Sequence, residues 1–92
     1  MLLEQLKSYA SSDESYGRIR ADFLDLIEAC QWFLSVMEQN EERTLSESEL
    51  EDVLIDIDVK FIQHVAFHLK SLRKDLPDIL KQFPNEDSPS AP

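Results

Sequence analysis

The chain has 92 residues, a formal net charge of −10, one cysteine and one glycine. That length allows a single small domain, and the charge argues against nucleic-acid backbones and anionic membrane surfaces as partners, because both call for clustered Lys and Arg. Cys30 has no second cysteine to pair with, which excludes an intramolecular disulfide and suits a reducing, cytoplasmic setting.

The first ten residues, MLLEQLKSYA, contain Glu4 and no apolar run, so they do not read as a signal peptide. Leu2, Leu3, Leu6 and Tyr9 share one helical face and predict a short amphipathic helix over 1–10. Ser11 and Glu14 fit the S-x-x-E capping box, in which each side chain bonds the other's free backbone N–H. A second helix is expected over 13–41. Tyr16, Ile19, Phe23, Leu26, Cys30, Phe33 and Met37 recur at alternating spacings of 3 and 4, a heptad seam. Cys30 falls within it and is expected to be a buried packing thiol. Ala21, Ala29, Trp32 and Val36 fall off the seam, which makes Trp32 and Val36 candidates for contact with a partner.

Residues 40–45 form the turn, and Ser46 with Glu49 is a second capping box. A long third helix is expected over 46–74. Its stripe is Leu50, Leu54, Ile57, Phe61, Val65, Leu69 and Leu72, widened by Ile55, Val59, Ile62 and Ala66. The β-branched run across 52–61 also suits a strand, which would have to pair across a dimer. Asp58 points into the apolar stripe on a helical wheel, so it is expected to be buried and paired with a base such as Arg18 or Arg20, with a backbone group, or with a residue across the dimer. Pro77 removes a backbone donor and is expected to end or kink the helix, with a short fourth helix over 76–83. Residues 84–92, PNEDSPSAP, have no apolar content and are expected to be a disordered tail beyond a single helical domain spanning 1–83.

Together these elements predict an all-α fold: a long antiparallel helical hairpin with short N- and C-terminal helices. The third helix is too apolar for the rest of the chain to cover. A four-helix-like bundle formed by dimerisation is therefore expected. Residues 46–58 carry six acids and no base, whereas residues 59–74 carry four bases and no acid. Two such helices packed antiparallel set acid against base, and the same segregation complements the helix macrodipole.

Candidate chemistry is sparse. A single glycine leaves no phosphate loop or dinucleotide turn. His64 and His68, at i and i+4, share one helix face at metal-ligand spacing. Zinc needs at least a third ligand, the HEXXH pattern is absent, and Asp75 lies too far along the same helix. No metal or other cofactor is expected, and His68 reads as a polar residue bordering the core. Glu49-x-x-Asp52 followed by Val-Leu-Ile-Asp56 is similar to one half of the metal motif of all-α nucleotide pyrophosphohydrolases of the MazG type. That resemblance implies a magnesium-dependent hydrolase using Glu49 and Asp52. The family also carries E-E-x-x-E on the preceding helix, and Glu41-Glu42-Arg43-Thr44-Leu45 departs from it at the last position. No catalytic constellation is otherwise present.

The leading expectation is a small acidic protein-interaction module without catalytic activity of its own: an adaptor, inhibitor, antitoxin-like or chaperone-like protein. It would be homodimeric, with a basic protein as a further partner and contacts at Trp32, Val36, Glu47, Glu51 and Asp56. A DNA-mimic inhibitor is the remaining alternative.

Overall fold

A computed structural model of the chain describes residues 1–83. The expected tail, 84–92, lies outside the described residues. All regular structure within 1–83 is helical and there is no strand, so the β reading of 52–61 is replaced by helix. The order is α1 (Leu2–Lys7), α2 (Asp13–Asn40), α3 (Glu47–Ile57), a π-helical turn (Asp58–Ile62) and α4 (Gln63–Leu80). Backbone geometry stays helical across both junctions, so α3, the π turn and α4 make one continuous rod.

The capping residues are short and polar. Ser12, rather than the expected Ser11, caps α2 by accepting from the Ser15 N–H at 3.0 Å. Ser46 and Glu49 form a full capping box: the Ser46 N–H donates to Glu49 at 2.9 Å and the Glu49 N–H donates to Ser46 Oγ at 3.1 Å. Each bond satisfies a donor that the first helical turn leaves free.

Pro77 does not end the helix. It sits inside α4, which continues to Leu80 in place of the expected break and new helix. Proline forfeits the bond to the carbonyl four residues back, that of Arg73, and clashes with the preceding turn. Arg73 and Pro77 are both on the solvent side. Leu72, Asp75 and Ile79, on the opposite side, are buried and hold the helix through the defect. The N-terminal helix is shorter than expected, ending at Lys7, and Tyr9 beyond it stacks on Phe83 at 4.9 Å, closing the open end of the hairpin.

The α2–α4 pairing is antiparallel. Phe33 stacks on Phe61 at 4.4 Å, Asp22 meets His68 and Arg18 meets Asp75, so residues ascending α2 meet residues descending the rod. The core is Ile19, Leu72 and Ile79, with Leu6, Phe23, Leu26 and Leu76 packed around it. It lies at the open end of the hairpin.

The seam of α2 is rotated from the expected one. Ile19, Phe23, Leu26 and Phe33 are kept, but Asp22 and Ala29 are the buried positions and the expected Cys30 turns outward. Cys30 is exposed, not a packing thiol. On the rod, the inward row runs Val53, Ile57, Phe61, Val65, His68 and Leu72, while Leu69 is half exposed. Spacings of four from 53 to 65 would drift off one face of an α-helix at 3.6 residues per turn. The π turn takes up the extra residue and keeps the row facing α2.

Candidate functional site

Arg18, Asp22 and Asp25 on α2 are spaced 4 and 3, and thus share a face. His64, His68 and Asp75 share a face of α4. The antiparallel pairing sets the two rows against each other as a ladder of polar contacts. At its lower rung Arg18 donates twice to Asp75, from Nε at 2.9 Å and from Nη2 at 2.8 Å. This is the bidentate geometry in which guanidinium and carboxylate match best. The Arg18 hydrogen bonds hold the Asp75 carboxyl below its ordinary value of 3.8, against the opposing effect of burial. The same hydrogen bonds with Asp75 raise Arg18.

At the middle rung His68, buried, places Nδ1 2.7 Å from Asp22 Oδ1. A carboxylate facing Nδ1 favours the tautomer with the proton there, which leaves Nε2 with a lone pair. Nε2 is itself buried and has no hydrogen-bond partner among the described residues, and neither does Asp22 Oδ2. Asp25 Oδ2 lies 3.3 Å from Nε2 but off the line a hydrogen bond needs. At the upper rung the His64 ring meets the His68 ring edge-on, centroids 4.5 Å apart. Asp25, His64 and His68 thus bring three ligating atoms within 4.8 Å of one another. The third of these residues comes from α2, beyond the reach of a one-helix reading of the histidine pair.

The remaining sequence candidates scatter. Asp58 is exposed and accepts a long hydrogen bond from Gln63 at 3.4 Å, so its expected burial and its pairing with Arg18 or Arg20 are both corrected. Arg18 is committed to Asp75. The wide turn carries Asp58 off the apolar row. Glu47, Glu51 and Asp58 rim a shallow groove floored by Leu50, Leu54 and Ile55. Trp32 and Val36, both half-buried, share a second groove with Asp56, which pairs with Lys60 at 3.7 Å. Glu49 is engaged in the capping box and 3.4 Å from Arg43. Its bond from the Ser46 N–H, and then that residue's hydroxyl, lower its carboxyl below the ordinary range. Asp52 is exposed. No helix among the described residues is long and apolar enough to cross a membrane.

The described surface also carries many exposed apolar side chains. No residue of α3 is buried, although it holds Leu50, Val53, Leu54, Ile55 and Ile57. Val59 and Ile62 continue the exposed apolar surface along the rod. On α2, Ile27, Leu34 and Met37 are each at least half exposed and follow heptad-like spacing with the exposed Cys30.

The chain matches no known family model, and neither curated proteins nor solved structures give a significant match.

The Arg18–Asp75 rung has a pH signature. Asp75 loses its proton more readily folded than unfolded, so the unfolded chain binds more protons in that range. The stability it supplies is complete above about pH 5 and is lost as pH falls through the depressed folded value. Urea midpoints of wild type and Asp75→Asn, measured from pH 7 to pH 3, are expected to differ most at neutral pH and to converge in acid. A gap of constant size would mean that packing, rather than charge, sets the contribution of Asp75.

Proposed function

We propose that the chain is a protein-binding helical module that covers α3 with a second copy of itself, completing a four-helix-like bundle. The observation that carries this reading is the helix α3: apolar at five of its eleven positions and buried at none. Soluble monomers rarely leave contiguous apolar surface of this kind uncovered. An antiparallel second copy sets the acidic 46–58 stretch against the basic residues Lys60, Lys70, Arg73 and Lys74. The acidic rim of the Leu50–Leu54–Ile55 groove also suits a basic helical partner in exchange for the second copy.

Light scattering coupled to gel filtration at tens of micromolar is expected to give twice the chain mass. Each copy carries a formal charge of −10, and salt screens both this net repulsion and the acid-to-base pairing of the rods, so the mass is measured across a salt series. Binding to a basic partner should weaken with salt. A strict monomer at every salt concentration would overturn the dimer.

A further inference from the structure

We propose that a divalent transition-metal ion of the zinc class binds between α2 and α4, held by Asp25, His64 and the Nε2 of His68. Three independent features converge there. The three residues already bring their ligating atoms within 4.8 Å of one another. His68 is 5% exposed, and its Nε2 is buried without a hydrogen-bond partner among the described residues while facing Asp25. A buried polar atom left this way costs free energy that a ligand would recover. The third feature is the Asp22 carboxylate 2.7 Å from His68 Nδ1. A carboxylate on the far nitrogen of a ligating histidine fixes its tautomer and strengthens it as a donor.

The geometry suits the ion. Zinc bonds of about 2.0–2.1 Å in a tetrahedron put ligand atoms about 3.3 Å apart. The His68 Nε2–Asp25 Oδ2 separation is already 3.3 Å. His64 is exposed, so its ring can move the remaining distance without disturbing the core. Two imidazoles and one carboxylate select a borderline ion such as Zn²⁺ or Co²⁺ over Mg²⁺ or Ca²⁺, which prefer all-oxygen sets. Water can take the fourth position, as it does at three-ligand zinc sites. The site joins α2 to α4 on the turn side of the Ile19–Leu72–Ile79 core. An ion there braces the hairpin where its buried packing thins.

The test uses the tag-free full chain, stripped with chelator, in a Cys30→Ser background that keeps the exposed thiol out of the readout. Titration calorimetry with zinc chloride is expected to show one ion per chain. Cobalt substitution should give the visible d–d bands of a tetrahedral site. His64→Ala and Asp25→Asn, at positions outside the core, should each weaken binding by about 10–100-fold or more while circular dichroism stays helical. Magnesium chloride should give no saturable heat. The proposal is overturned if zinc shows no saturable binding, if both variants bind as wild type does, or if magnesium binds as well as zinc, which would indicate only a diffuse acidic surface.

Discussion

Ile19→Ala is expected to destabilise the chain by about 3 kcal/mol, the typical cost of truncating a fully buried aliphatic side chain. Ile19 is 1% exposed and is the only large side chain among the described residues that is fully enclosed. It touches the rod at Leu72 and Ile79, so its loss opens a cavity where α2 meets α4. A small domain has about 5–10 kcal/mol in total, and few of the described residues are buried to share the load. With a urea slope of about 1 kcal/mol per molar, the midpoint should fall by about 2–3 M at fixed protein concentration. Leu34→Ala, at an exposed position on the same helix, should cost about 0.5 kcal/mol or less if the chain is studied below its association range. Equal shifts for the two variants would show that the core does not lie where the structure puts it.

The second large effect is expected in association. Leu54 is 55% exposed in the single chain, so Leu54→Asp should leave monomer stability nearly unchanged. In a two-fold dimer each residue occurs twice. Removing one leucine from a buried apolar contact costs about 2 kcal/mol, hence about 4 kcal/mol for the pair and about a thousandfold in Kd. Sedimentation of the variant at tens of micromolar should show monomer, with the helical signal intact. A variant that still sediments as a dimer would exclude the α3 face as the interface. A variant that unfolds would show that Leu54 supports the single chain.

The periodicities in the sequence suffice to read α2 and the greater part of the rod, the S-x-x-E spacing gives the second capping box, and the short turn gives the antiparallel hairpin. Ile19, Leu26 and Phe33 belong to the seam under either phase, so the helix is legible while its rotation is not. The rotation is decided by Asp22, which is buried because His68 on the other helix answers it. A rule that sorts acids outward cannot see such a pair before the helices are set side by side. Cys30 reads as inward for the same reason. The polar ladder does leave a trace, with Arg18, Asp22 and Asp25 on one helix face and His64, His68 and Asp75 on another. Asp58 fails differently: its placement assumes 3.6 residues per turn through a segment that is wider. The trace there is the run of fours at Val53, Ile57, Phe61 and Val65, which no straight α-helix keeps on one face. Pro77 breaks a helix on its local penalty alone, but the packing of Leu72, Asp75 and Ile79 on either side of it outweighs that penalty.

The π turn gives the rod one residue of slack. A wide turn of this kind is an α-helix with a single residue inserted, and the helices on either side keep their phase. Losing a residue between Asp58 and Ile62 would therefore tighten the turn to α without rotating α4. The same loss at Lys70 would swing Leu72, Asp75 and Ile79 by about 100° away from Ile19, because each α-helical residue turns the face by that amount. The rod is thus tolerant of a length change at one place and intolerant of it a few residues further on.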